Sequence, residues 1–104
     1  MKLIVLSNTV FKQSILPSFE LANNEKVNIP AGTEFEIVAY LEMGDYVKFT
    51  LENEFIDGRN TWIAYINHVE LIDDDGLKVI GEYKIGDKLP IKVNLPVPYF
   101  SQLD

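Results

Sequence analysis

Glu34-Phe35-Glu36-Ile37-Val38-Ala39-Tyr40-Leu41 and Tyr46-Val47-Lys48-Phe49-Thr50-Leu51, joined through Met43-Gly44-Asp45, decide the fold. Successive side chains of a β-strand point to opposite faces, so a period of two separates a buried face from a wet one. In the first run the alternation puts Phe35, Ile37, Ala39 and Leu41 on one face. In the second it puts Val47, Phe49 and Leu51 inward and Lys48 and Thr50 outward. The glycine between the runs supplies a turn, and the pair reads as an antiparallel hairpin.

The flanking sequence repeats the pattern in shorter pieces. Lys2 to Leu6 is a first strand and Thr9-Val10-Phe11-Lys12 a second, followed by an irregular loop through Pro17 to Asn24. Lys26-Val27-Asn28-Ile29 alternates and then meets Pro30-Ala31-Gly32, where a fixed φ and a permissive glycine make a tight turn. Beyond the polar loop Asn53 to Asn60, Thr61-Trp62-Ile63-Ala64-Tyr65-Ile66 is apolar on both faces, as expected of a doubly covered strand. His68-Val69-Glu70-Leu71-Ile72 closes the unit. No stretch holds a helical period for more than about two turns. Short strands at close spacing point to an all-β chain closed into a small antiparallel barrel, because closure removes exposed edges. Phe35, Ile37, Val47, Phe49, Ile63 and Ile66 are the expected core.

At Asp73 the character changes. Residues 1–72 read as the barrel, and residues 73–104 as an acidic turn, short edge strands and a proline-containing linker. Asp73-Asp74-Asp75-Gly76 is the turn, and three of the five prolines follow it. Leu77 to Ile80 and Pro90 to Val93 fit edge strands. Leu95-Pro96-Val97-Pro98 fits an extended segment, since proline has no amide for a ladder.

Composition excludes several functions. The 104 residues, 47% of them hydrophobic, suffice for one core. A net charge of −7, with nine lysines and arginines spread along the chain, opposes binding to nucleic acid or to an anionic membrane. With no cysteine there is no thiol chemistry, no disulfide framework and no thiolate zinc site, a composition compatible with a reducing compartment. The apolar start Met1 to Leu6 ends at Ser7-Asn8, too short for a signal peptide, and no run approaches the ~20 residues of a transmembrane segment.

Two resemblances add to this reading. Thr9-Val10-Phe11-Lys12-Gln13-Ser14, the turn Ile29-Pro30-Ala31-Gly32-Thr33 leading into Phe35-Glu36-Ile37-Val38, the pair Tyr46-Val47-Lys48-Phe49, and Thr61-Trp62-Ile63-Ala64-Tyr65 before His68-Val69-Glu70-Leu71 resemble, in that order, bacterial SH3-like domains. Many such domains carry a glycine just before the tryptophan, where this chain has Thr61. The ending Val97-Pro98-Tyr99-Phe100-Ser101-Gln102-Leu103-Asp104 resembles the lead-in to papain-like cysteine peptidases of the double-glycine-leader-peptidase-like group. Together the resemblances imply an SH3-like barrel with an extended C-terminal segment, serving as a non-catalytic binding or targeting module beside an adjoining peptidase domain. The implied partners are peptide, a peptidoglycan fragment of the cell wall, or a protein; a free-standing protein–protein interaction domain is the alternative.

For binding, Trp62 offers a flat indole, and Tyr40, Tyr46, Tyr65 and Tyr83 could extend a groove around it. A lone tryptophan in a small barrel is more often core than contact. Glu52, Glu54 and Asp57 are expected beside the aromatics, favouring a cationic or peptide ligand over an anionic polymer. His68, the single histidine, lies near Glu70, but a base needs a nucleophile to activate, and a structural role at the strand fits better. Asp73, Asp75, Gly76 and Glu82 fall at positions three, five, six and twelve of a calcium loop, yet Leu71 occupies the first position and strands flank it. No metal, cofactor or catalytic residue is expected.

Overall fold

The Glu34–Leu51 hairpin forms. A computed structural model describes residues 1–82, and in it β4 (Glu34–Met43) pairs antiparallel with β5 (Tyr46–Leu51) across the two-residue loop Gly44-Asp45. Gly44 takes φ +64°, the positive value that the first central residue of such a hairpin loop adopts and that side chains resist. The other strands are β1 (Lys2–Val5), β2 (Thr9–Lys12), β3 (Lys26–Ile29), β6 (Thr61–Tyr65), β7 (Val69–Ile72) and β8 (Lys78–Ile80). Every strand pairing is antiparallel, and the order is β3-β2-β6-β5-β4-β1-β7-β8. The described residues contain three short 3₁₀ turns, Ser18–Glu20, Asn23–Glu25 and Ile66–His68, and no α-helix. The chain is all-β. Tyr83, the Pro90–Val93 and Leu95–Pro98 segments and the peptidase-like ending lie outside the described residues.

The sheet coils on itself. Phe11 of β2 meets Phe35 of β4 at 5.5 Å between ring centroids and Phe49 of β5 at 4.9 Å, although β6 and β5 separate β2 from β4 in the order of strands. The two halves of the sheet therefore face each other across one core, to which all eight strands contribute. Its largest fully buried side chains are Trp62, Phe11 and Phe49. Among the described residues β3 and β8 remain the two ends of the sheet and do not pair with each other.

Of the expected core, Phe35, Ile37, Val47, Phe49 and Ile63 are buried. Ile66 is only half-buried, because β6 ends at Tyr65 and Ile66 opens a 3₁₀ turn at the rim of the core. The larger correction is in β4. A β-bulge between Ile37 and Ala39 shifts the register with β5 by one residue, so that Tyr40 rather than Ala39 shares a face with its partner Phe49. Ala39 and Leu41, inward by simple alternation, are exposed, Leu41 by 60%. The bulge falls where β4 changes partners. Its first half pairs with both β1 and β5, and its second half with β5 alone among the described residues.

The sheet continues beyond residue 72. Asp73 closes the acidic turn by accepting the amides of Asp75 and Leu77 on one carboxylate oxygen, both at 2.9 Å. Leu77 and Ile80 are buried, and β8 is the edge strand expected there. Calcium-loop geometry is not what this stretch adopts, since the strands β7 and β8 flank it and its first aspartate is committed to backbone.

Candidate functional site

Residues of the four strands β3, β2, β6 and β5 line an open concavity that carries aromatic rings. The same register that sends Val47 and Ala64 into the core sends their neighbours Tyr46 and Tyr65 out, directly opposite each other. Their rings meet edge to face at 6.1 Å, and Tyr65 meets the His68 ring in the same manner at 4.8 Å. This three-ring row forms one wall of an open groove of about 610 Å³. Val10, Ile29 and Pro30 supply apolar surface, while Asn8, Ser18 and Asn28 supply hydroxyl and amide groups. A concave surface that joins aromatic rings with a few convergent polar groups is what a small organic or peptide ligand requires.

Two interactions fix the walls. The Thr9 hydroxyl lies 2.8 Å from His68 Nδ1, tying the start of β2 to the turn before β7. Lys12 places its ammonium 5.5 Å from the centroid of the Tyr46 ring and donates to the carbonyl of Leu16 at 3.2 Å, holding the following loop beside the sheet. Thr9 is only 6% exposed, so its oxygen serves the imidazole and has no open approach for a substrate carbonyl. The groove offers stacking and hydrogen bonding.

The sequence candidates divide. Tyr46 and Tyr65 are together in the groove. Tyr40 is not with them: it stands on the second half of β4 beside a small depression of about 170 Å³ formed with Ala39, Leu41, Lys48 and Thr50. Trp62 is a correction. It is fully buried, opposite Phe49 in the core, with Nε1 donating to the Arg59 carbonyl at 3.0 Å, so it presents no recognition surface. The expected acidic surroundings are a second correction. Glu52, Glu54 and Asp57 lie on the connection from the end of β5 to the start of β6, whereas Tyr46 and Tyr65 stand at the opposite ends of those strands. Among the described residues, the charged side chain that lines the groove is Lys12.

Single-sequence reading misses Lys12, Thr9 and Asn28, and it assigns His68 to structure alone. No local pattern marks them, because they meet only through pairings between distant segments, such as Lys12 with Ile63 and Val10 with Asn28. A second concavity of about 760 Å³ runs between Leu6, Glu42 and Ile66 on one side and Glu70, Val79 and Glu82 on the other. Among the described residues no aromatic ring lines it. Comparison with models of protein families, with curated proteins and with solved structures found no match.

Proposed function

We propose that this chain is a non-catalytic peptide-binding module that receives a short extended segment, a protein peptide or a peptide of the cell wall, in the groove lined by Tyr46, Tyr65 and His68. The observation that carries the reading is the row of three edge-packed rings on the outer face of the sheet, next to the Ser18 hydroxyl and the Asn28 amide. Aromatic rings on strands offer large contact area with little conformational freedom to lose, which is what a shallow groove needs to hold a flexible ligand. The sequence resemblance to bacterial SH3-like domains and the peptidase-like ending support an accessory role, in which an adjoining cysteine peptidase domain would cut and this module would bind.

Catalysis by the module itself has little support. It has no cysteine, and its hydroxyl–imidazole contact uses a buried threonine oxygen. The test is backbone amide NMR during titration with a panel of peptidoglycan stem peptides and short linear peptides. Binding should shift amides of Val10, Asn28, Tyr46, Tyr65 and His68, and the double variant Tyr46→Ala/Tyr65→Ala should abolish those shifts while keeping the dispersed spectrum of the fold. Shifts confined to the depression between Leu6 and Glu82, or none with any peptide, would refute the assignment of this groove.

A further inference from the structure

The outer face carries a second row beside the aromatic one. Lys26 of β3 is the cross-strand partner of Lys12 of β2, Lys12 is the partner of Ile63 of β6, and Ile63 is the partner of Lys48 of β5. Three lysines and one isoleucine thus form a single line across four strands. Neighbouring strands lie about 4.8 Å apart, so Lys12 has a lysine one strand away on one side and two strands away on the other. Like charges directly opposite each other are unfavourable in a sheet.

That arrangement is unexpected in a chain with sixteen acidic and nine basic residues. Carboxylates to neutralise the row are plentiful, yet among the described residues none of the three lysines has one within ion-pair distance. Lys12 and Lys26 instead donate to the carbonyls of Leu16 and Ser18, at 3.2 and 2.6 Å. Each of these ammonium groups has three donors and uses one there, which leaves capacity for an anion. Lys12 lines the groove, and Lys26 and Lys48 stand to either side of Lys12 in the same line.

We infer that the groove selects peptides bearing carboxylates, with an acidic side chain or a free C-terminus set against the lysine row and an adjacent apolar or aromatic side chain on Tyr46, Tyr65 and His68. The inference rests on the peptide-binding reading above and reverses the cationic preference that the acidic loops suggest. It also confines selectivity to short range. The net charge of −7 repels an approaching polyanion, while the local row attracts a carboxylate already seated in the groove.

The experiment compares four five-residue peptides on the intact chain by calorimetry and amide NMR. They are an alternating glutamate–phenylalanine peptide blocked at both ends, its glutamine counterpart, its lysine counterpart, and the glutamine peptide with a free C-terminal carboxylate. Polyphosphate is the anionic control. The glutamate peptide should bind about tenfold more tightly than the blocked glutamine peptide, as expected of two or three exposed ion pairs, and should weaken as salt is raised. The lysine peptide should bind worst. The free carboxylate distinguishes a side-chain acid from a chain end as the preferred source: a gain over the blocked glutamine peptide assigns the row to C-termini as well. Lys12→Gln/Lys48→Gln should erase the difference between the glutamate and glutamine peptides measured on that same variant, whereas Tyr65→Ala should weaken all four.

Equal affinity for the glutamate, glutamine and lysine peptides would overturn the inference and leave the peptide groove standing. So would a preference for the lysine peptide, or tighter binding of polyphosphate than of the glutamate peptide. Failure of every peptide to bind would remove the groove reading and the inference together.

Discussion

Phe49 and Trp62 face each other across β5 and β6, and both are shielded from water, one at 1% and the other at 0% exposure. Phe49 also meets Phe11 edge to face at 4.9 Å, so its removal would empty the middle of the core. Phe49→Ala should lower unfolding stability by about 3–5 kcal/mol, read as a shift of the denaturant midpoint. Phe49 was legible in the sequence because its neighbours Lys48 and Thr50 alternate with it. Trp62 was not, since Trp62, Ile63 and Ala64 are all buried and a strand apolar on both faces carries no phase. Only the pairing with Phe49 fixes which way the indole points. The consequence is measurable: Trp62 emission should be blue-shifted, resist soluble quenchers and stay unchanged when the groove is filled, so a large ligand-induced change would mean that the indole is not enclosed. Gly81 is a further residue whose role is geometric. It has φ +124°, and an added Cβ would lie 2.9 Å from the Cβ of Glu70. Gly81→Ala should cost about 1–3 kcal/mol, measured by thermal or chemical unfolding.

At the scale of elements, β4 shows what alternation cannot reveal. The run from Glu34 to Leu41 looks uninterrupted, and the bulge between Ile37 and Ala39 neither adds a glycine nor breaks the apolar pattern. It is imposed by partners: β1 holds the first half in register through Leu3 with Phe35, and β5 holds the second through Phe49 with Tyr40. Hence the hairpin could be read from the sequence and the direction of its outer half could not. The same applies to the groove, whose aromatic pair belongs to two recognisable strands but whose lysine row exists only after β2 is placed beside β6. At the other end of the sheet, β8 is secured by an ion pair in which Lys78 lies 3.3 Å from Glu70, with side chains only 8% and 16% exposed. Replacing one member of so enclosed a pair strands its partner's charge. Lys78→Met should cost about 3 kcal/mol, and Lys78→Met/Glu70→Leu should recover most of it, because a well-packed apolar pair dispenses with the desolvation of two charges. A double variant no more stable than the single one would show that packing of the lysine stem, not the charge, holds the edge.

For the molecule as a whole, the coiled sheet has to bring its first strand and its last connection together. β1 lies between β4 and β7, and the amino group of Met1 reaches across to the Asp74 carboxylate at 2.6 Å in the turn that leads to β8. That hydrogen bond raises the pKa of the amine above its ordinary value of 8.0 against the opposing effect of burial, with lesser help from the charges of Asp74, Glu36 and Glu52. A group whose folded pKa is raised stabilises the native state fully while the pH is below its unfolded value and loses that contribution as the pH climbs through the folded one. The tie should therefore be intact at neutral pH and fade as the solution becomes more alkaline than 8.0. Asp74 is exposed, so the contribution is small and sensitive to salt. The check is a comparison of melting temperatures for the wild type and Asp74→Asn across pH. The wild type should melt slightly higher at pH 7 in dilute buffer, with the difference shrinking at high salt and again as the pH rises past the amine's range. A difference that persisted undiminished in strong alkali would mean that Asp74 acts through the turn it occupies and not through the amine, and β1 would then owe its place to its pairing with β4 and β7 alone.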